Sequence, residues 1–205
     1  MKPASDFAVA IEYLRQRDPI LAKVIDRVGP CALQLDKDIF KSLVRAIIAQ
    51  QISTSAARSI YKKLIALVGS EENLLDGLAR HSAEELRGAG VSPQKARYLH
   101  DLAEKVSTGA VKLESIAALN NDQIIAELTQ VKGVGVWTAQ MLLIFSLGRL
   151  DVFPGDDLGI RTAIKRLYRK RSLPTKPIHL RKFEKLWQPY ASVASWYCWR
   201  SLEFD

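Results

Sequence analysis

Residues 128–139 read LTQVKGVGVWTA, a pattern typical of two helices joined by a tight glycine turn. A run typical of a helix, residues 122–130, stops before Gly133 and Gly135, and an apolar helical run follows over about residues 136–147. Two glycines one residue apart allow a tight turn with positive φ and leave no Cβ in the way of a close approach. Because a new helix begins directly after the turn, its free N–H groups and positive dipole end point outward, as in an anion site. A dinucleotide cofactor would need a strand before the glycines, and none is indicated, so a nucleic-acid phosphate is the favoured anion.

The charge balance agrees with a polyanionic partner. The 205 residues carry a formal net charge of +8. A basic balance alone is weak evidence, since many basic proteins bind no particular partner. The length allows one large domain or two small lobes that share a cleft, and 48% hydrophobic residues suffice for a core.

The two cysteines exclude a thiol-based metal site. Cys31 and Cys198 lie far apart, with no CxxC or Cys/His cluster, whereas a zinc site or iron–sulfur cluster needs more soft ligands. We therefore expect two reduced thiols. Residues 1–6 begin no apolar signal region, and no apolar run of about 18 residues follows, so we expect a soluble protein inside the cell with no membrane partner.

Helical signals recur along the whole chain, and convincing two-residue alternation is absent. Apolar residues at positions 39, 40, 43, 44, 47 and 48 form one buried stripe. Ser82 and Glu85 predict a capping box, and Ser92 followed by Pro93 predicts another helix start. The fold class is therefore all-α, with about ten helices.

Two polar segments sit at helix junctions. Residues 50–54, QQIST, interrupt the buried stripe, and Ser53 or Thr54 can cap the next helix, so the two glutamines can be an ordinary junction. Residues 152–157 read VFPGDD, and its two carboxylates, Asp156 and Asp157, can both be helix caps. A fixed carboxylate can also stabilise a positively charged transition state.

The hairpin L-x-x-V-x-G-V-G-x-x-T-A, followed at this distance by V-F-P-G-D-D, resembles the helix-hairpin-helix DNA glycosylases. The alkylpurine branch, the 3-methyladenine DNA glycosylase II type, is the most similar, and the resemblance covers residues from about 40 to 199. It implies an all-α fold of two lobes with the active site in the cleft between them. We expect one glycosylase unit over residues 1–205, with one lobe at about 36–150 and the other at about 1–35 plus 151–205. Some relatives carry an N-terminal β-rich domain, for which this chain has no room, so a compact form is expected.

The resemblance assigns roles to the site residues. The catalytic carboxylate falls on Asp157, while Asp156 caps a helix or holds the loop. Relatives that also cut the strand carry a nucleophilic lysine where this chain has Trp137, so we expect a monofunctional enzyme that uses water. Trp137 and Trp199 match the two tryptophans of the base pocket, and an electron-rich aromatic cleft attracts a cationic alkylated base.

Further matches concern the DNA and a cation. Gln51 matches the residue that plugs the gap left by an extruded base. The expected DNA contacts also include Lys132, Gly133, Val134, Gly135 and Thr138. A structural Na⁺ or K⁺ would lie on the carbonyls of Thr129, Val131 and Val134, and no other cofactor is expected. Lys95 is expected to be an exposed scaffold residue, with a phosphate contact as the less favoured alternative. Arg161, Lys165 and Arg166 are either phosphate contacts or a solvated helix face.

These features predict a repair glycosylase that flips alkylated purines out of double-stranded DNA and leaves an abasic site. A same-fold glycosylase for oxidised purines, uracil or mismatched thymine stays open, as does a non-catalytic helix-hairpin-helix DNA-binding protein. We expect a monomer in the cytoplasm or nucleoid, or in the nucleus of a eukaryote.

Overall fold

The computed structural model describes residues 4–169 and 177–204, and within them the chain forms twelve α-helices, one 3-10 helix and no β-strand. The α-helices are α1 (Ala4–Arg17), α2 (Pro19–Val28), α3 (Ile39–Ala49), α4 (Thr54–Val68), α5 (Leu74–Arg80), α6 (Ala83–Gly88), α7 (Pro93–Ser107), α8 (Asn121–Leu128), α9 (Val136–Phe145), α10 (Leu158–Leu167), α11 (Pro177–Trp187) and α12 (Ala191–Ser201). The 3-10 helix covers Ile116–Ala118 and lies before α8. The all-α prediction is confirmed. The count exceeds the expected ten, and the seven-residue α5 is the helix that the sequence pattern did not indicate.

The chain divides into two compact units. The central unit is Asp36–Leu142, and the terminal unit combines Met1–Leu35 with Leu143–Asp205. The lobes expected from the resemblance differ from these units in residues 143–150, which belong to the terminal unit. Each unit is described by itself below. None of the described helices is long and apolar enough to cross a membrane.

The core of the central unit begins with α3. Leu43, Val44, Ile47 and Ile48 are fully buried, whereas the predicted stripe positions 39 and 40 are half-buried. Burial of such a side chain contributes about 1.5–3 kcal/mol relative to exposure. Asp38 begins the helix because its side chain accepts a hydrogen bond from the Lys41 N–H at 3.0 Å.

The predicted helix starts in the central unit are confirmed. Ser82 and Glu85 form a reciprocal capping box, with the Ser82 N–H donating to the Glu85 carboxylate at 2.7 Å and the Glu85 N–H donating to the Ser82 hydroxyl at 3.3 Å. Ser92 caps α7, and Pro93 occupies its first turn. Ser53 caps α4 through the Ala56 N–H.

The terminal unit is organised around a buried carboxylate. Asp18 caps α2 by accepting from the Ile20 and Leu21 N–H groups, each at 3.0 Å. Its other oxygen accepts from Trp187 Nε1 at 2.8 Å and from the Tyr168 hydroxyl. These four donors satisfy the buried charge and join α2, α10 and α11, which fixes the helix that begins beside Asp157.

Candidate nucleic-acid interface and active site

The predicted hairpin is present in the central unit. α8 begins in a capping box formed by Asn120 and Gln123, and it ends at Thr129. The Val131 N–H donates to the Leu128 carbonyl at 3.1 Å, and the Val134 N–H donates to the Val131 carbonyl at 3.0 Å. α9 begins at Val136 directly after this turn, so the positive end of its helix dipole lies at the turn.

The two glycines of the turn differ in backbone conformation and in the space around them. Gly133 has φ +82°, and a Cβ on it would lie 2.2 Å from the Tyr98 ring. Gly135 does not have a positive φ, and a Cβ there would meet nothing within 4 Å. The expectation that positive φ explains both glycines is therefore wrong for Gly135. A side chain at position 133 would therefore strain the turn, whereas Gly135 leaves open space at the start of α9, where an anion could approach.

The three residues of the predicted cation site lie in this same turn. Val131 and Val134 are buried, and the Thr129 hydroxyl donates to the Ile125 carbonyl at 2.7 Å. The Val131 carbonyl accepts one hydrogen bond, and a carbonyl oxygen has a second lone pair that can bind a cation. The monovalent-cation site on the carbonyls of Thr129, Val131 and Val134 stays a prediction. Across residues 4–169 and 177–204, no group of three or more His, Cys, Asp or Glu could hold a metal ion.

Asp101 on α7 holds the turn at Lys132. Its carboxylate is 7% exposed and accepts the Lys132 N–H at 2.9 Å. Lys105 and the Lys132 ammonium lie at 2.7 Å and 3.3 Å from the same carboxylate. Burial alone would raise the pKa of Asp101, but the hydrogen bonds from these two lysines outweigh it and hold the pKa below its ordinary value. The Lys132 side chain remains 71% exposed, as a phosphate neighbour must be.

Gln51 stands at the tip of the corner between α3 and α4. It is exposed and has φ +58°, a left-handed conformation that is uncommon outside glycine. The preceding Gln50 is held differently, because its Nε2 donates to the Gly133 carbonyl at 2.7 Å. The geometry thus leaves Gln51, and not Gln50, available as the plug, and its role in DNA stays a prediction.

Lys95 is not the exposed residue that the sequence suggested. Its ammonium donates to the carbonyls of Ile48 at 2.7 Å and Gln50 at 2.8 Å. It is half-buried, and burial lowers its pKa. The Lys95 ammonium therefore caps the C-terminus of α3, where the helix dipole favours a cation.

Trp137 and Thr138 differ sharply in exposure. Trp137, in the first turn of α9, is 46% exposed, which is unusual for so large an apolar ring and suits a pocket wall. Thr138 is 6% exposed. The DNA contact assigned to Thr138 stays a prediction.

The predicted catalytic residue caps a helix in the terminal unit. The Asp157 carboxylate accepts from the Ile160 N–H at 2.9 Å, so the N-terminus of α10 is directed at it. The same oxygen accepts from Trp199 Nε1 at 2.8 Å. The structure thus brings together Asp157 and Trp199, two residues that were assigned separately to catalysis and to the base pocket.

Gly159 and Phe145 complete this arrangement, and sequence reasoning missed both. A Cβ on Gly159 would lie 2.9 Å from the Asp157 carboxylate and 2.9 Å from the Trp199 ring. Glycine at this position is therefore what lets the indole reach the carboxylate. On α9, Phe145 packs against Trp199 with ring centroids 5.6 Å apart. The spacing D-x-G after the proline turn was a usable signal for Gly159, because only a residue without a side chain leaves this space.

Asp156 holds the loop, as predicted, and does not cap α10. It pairs with Arg161, whose Nε also donates to the Gly155 carbonyl at 2.9 Å. Arg161 is thus engaged within the protein, so a phosphate contact by it is disfavoured. Lys165 and Arg166 are exposed on α10, and Arg166 donates to the Phe204 carbonyl.

The sequence of the chain is similar to sequences of known proteins. The family profile of the HhH-GPD superfamily base excision DNA repair proteins matches residues 44–189, which include the hairpin and Asp157. The chain belongs to this superfamily. DNA-3-methyladenine glycosylase 1 of Schizosaccharomyces pombe is 33% identical over 183 residues, which are 88% of this chain and 80% of that protein.

Solved structures agree with the HhH-GPD assignment. A DNA-3-methyladenine glycosidase from Bacillus halodurans superposes with a TM-score of 0.84 at 35% identity, over 94% of this chain and 88% of that one. The S. pombe 3-methyladenine DNA glycosylase Mag1 in complex with abasic DNA gives a TM-score of 0.82 at 32% identity, over 95% and 97% of the two chains. The two-segment resemblance to helix-hairpin-helix glycosylases is confirmed. The roles of the individual site residues stay predictions.

Proposed function

We propose that this HhH-GPD protein is a DNA glycosylase that flips alkylated purines, of the 3-methyladenine and 7-methylguanine type, out of duplex DNA and hydrolyses their N-glycosidic bond. The observation that carries the proposal is the hydrogen bond from Trp199 Nε1 to the Asp157 carboxylate at 2.8 Å. It joins a carboxylate suited to the sugar with an aromatic ring suited to the base. The relatives named above, which are glycosylases for 3-methyladenine, support the same substrate class.

Asp157 supplies the charge that this reaction needs. As the base departs, positive charge develops on the sugar, and a fixed carboxylate beside the anomeric carbon stabilises that oxocarbenium-like state. The hydrogen bonds from Ile160 and Trp199 hold the carboxylate in place before the substrate arrives, so little reorganisation is needed. Asp157 can also orient the attacking water, which adds to the anomeric carbon and gives up one proton to the solvent as the sugar hydroxyl forms.

The aromatic rings favour a positively charged base. Methylation at a ring nitrogen of a purine makes the base cationic and weakens its bond to the sugar. Cation–π contact with such a base contributes about 0.5–2 kcal/mol, depending on desolvation. Trp199 and the exposed Trp137 are the two rings that we assign to this contact.

Contacts with the DNA backbone come from the hairpin turn. The N–H groups at the start of α9 and the Lys132 ammonium are suited to phosphate, and the space at Gly135 allows a close approach. A monovalent cation on the carbonyls of Thr129, Val131 and Val134 would add positive charge beneath that phosphate. The proposed partner is double-stranded DNA with damaged bases, bound by a monomer in the cytoplasm or nucleoid, or in the nucleus of a eukaryote.

A panel of duplexes with one lesion each tests the substrate class. We expect 7-methylguanine, which is cationic, to be excised at least about tenfold faster than uracil, mismatched thymine or 8-oxoguanine, since only the cationic base gains the cation–π contact. Excision is read as release of the free base, resolved by chromatography, under single-turnover conditions. Faster excision of uracil, thymine or 8-oxoguanine would favour the rival same-fold enzyme, and no excision of any lesion would favour a non-catalytic DNA-binding protein.

A second prediction concerns strand cleavage. Trp137 occupies the position of the nucleophilic lysine in strand-cutting relatives, Lys132 is paired with Asp101, and Lys95 is bound to two carbonyls. Borohydride should therefore trap no covalent enzyme–DNA adduct, and the abasic product should remain uncut until alkali is added. A strand-cutting glycosylase serves as the positive control. Adduct formation by homogeneous protein would overturn the monofunctional assignment.

A further inference from the structure

Three side chains on one face of α7 contact the two segments of the central unit that we assign to DNA. Lys95, Tyr98 and Asp101 are spaced by three residues, so they lie side by side on the helix. Lys95 binds the corner that carries Gln51, through the carbonyls at the end of α3. Tyr98 lies against Gly133, and Asp101 accepts the Lys132 N–H. One face of α7 thus contacts both the corner and the hairpin turn.

A direct bond joins these two segments as well. Gln50 Nε2 donates to the Gly133 carbonyl at 2.7 Å, across 83 residues of sequence. The backbone carbonyl of the same Gln50 accepts from Lys95. Gln50 is therefore the point at which the corner, the hairpin turn and α7 are held together.

We propose that Lys95 and Gln50 are positioning residues that fix the Gln51 corner relative to the hairpin turn, and that this fixed arrangement lets the protein prefer duplex with a missing base over intact duplex. The inference rests on the proposed function. Neither residue needs to touch the DNA. Both act through Gln51, whose side chain must enter the gap while the turn holds the phosphate.

The backbone of Gln51 explains why such support is needed. A non-glycine residue in the left-handed region persists only where its surroundings hold it. The Lys95 ammonium binds the carbonyl of Gln50, directly before Gln51, and that of Ile48 in the last turn of α3. Charge-assisted hydrogen bonds of this kind are stronger than neutral ones. Without the ammonium, the corner is free to adopt other conformations, and the plug loses its fixed position.

Binding to two matched duplexes tests the proposal. The duplexes share one sequence, and one of them carries a tetrahydrofuran abasic-site analogue. The quantity measured is the Kd for the intact duplex divided by the Kd for the abasic duplex, at one salt concentration. We expect Lys95→Met and Gln50→Leu each to lower this ratio about tenfold, as Gln51→Ala should. Since Lys95 acts through Gln51, the double variant Lys95→Met/Gln51→Ala should lose no more than the larger single loss.

Arg97→Met is the matched control. Arg97 is exposed on α7 and lies two residues beyond Lys95, so the variant removes the same charge from the same helix at another face. We expect it to leave the ratio unchanged, although both affinities can fall together as phosphate attraction weakens. Equal loss of preference in Arg97→Met would overturn the proposal, because it would assign the effect to net charge.

The remaining outcomes separate this inference from the proposed function. If Lys95→Met does not fold, Gln50→Leu is the deciding variant, because it keeps a side chain of similar size and removes the amide that donates to the Gly133 carbonyl. Retained preference in a folded variant, or losses that add in the double variant, would overturn the positioning role. So would a wild-type protein with no preference for the abasic duplex. If wild type excises no alkylated base yet shows the preference and the variants lose it, the proposed function fails and the positioning role stands.

Discussion

Asp157→Asn is expected to slow single-turnover base excision by about two orders of magnitude or more. Asparagine keeps the size of the side chain and an oxygen that accepts from the Ile160 N–H and from Trp199 Nε1. It is also as good a helix cap as aspartate, so α10 should keep its start. What is lost is the negative charge that stabilises the cationic transition state. Binding to duplex with an uncharged abasic-site analogue should change far less than the rate.

Asp156→Asn is the matched control for this prediction. Asp156 is exposed and pairs with Arg161, and an ion pair with so exposed a carboxylate contributes little to stability. We expect excision within about threefold of wild type, with any loss appearing in stability. A dead Asp156→Asn beside an active Asp157→Asn would move the catalytic role to the neighbouring residue. Full activity in both variants would contradict a carboxylate mechanism.

Gly133→Ala is expected to destabilise the protein by about 3 kcal/mol, which for a chain of this size lowers Tm by roughly 6–12 °C. Two effects add at this position. The backbone has φ +82°, where an L side chain is strained, and the new Cβ would lie 2.2 Å from the rigid Tyr98 ring. Thermal unfolding followed by circular dichroism measures the change.

Gly135→Ala, two residues away, is the matched variant. It should weaken DNA binding and leave the Tm almost unchanged. A Cβ there meets nothing within 4 Å, so Tm should stay within about 2 °C of wild type. We expect weaker binding to duplexes of every sequence, because the methyl group occupies the space where a phosphate would approach. Unchanged affinity across a range of salt concentrations would exclude the phosphate role, and a Tm loss as large as that of Gly133→Ala would contradict the distinction between the two glycines.

The hairpin was readable from the sequence because its signals are local. Helical periodicity and two glycines fall within one short stretch. The sequence could not predict that a side chain is excluded at Gly133 and tolerated at Gly135. That difference depends on Tyr98, a residue of another helix. The short α5 was missed for a similar reason. Gly77 lowers its helix propensity, yet a Cβ there would lie 2.5 Å from Val68, so close packing on α4 requires the glycine.

The candidate active site could be predicted only in part. The resemblance assigned Asp157 and Trp199, but their hydrogen bond spans 42 residues of sequence and arises from the packing of α10 beside α12. Lys95 was expected to be exposed, because a lysine after a helix start usually is. Its partners are backbone carbonyls 45 and 47 residues away, and backbone acceptors leave no trace in a sequence.

The release of free bases from methylated DNA tests the proposed activity most directly. Duplex DNA is treated with a labelled methylating agent and incubated with wild-type protein or with Asp157→Asn, and the released bases are resolved by chromatography. Glycosidic hydrolysis assisted by Asp157 predicts 3-methyladenine and 7-methylguanine in the wild-type reaction and, over the same time, near-background levels with Asp157→Asn. A wild-type reaction that releases neither base, or an Asp157→Asn reaction that releases both at the wild-type rate, would contradict it.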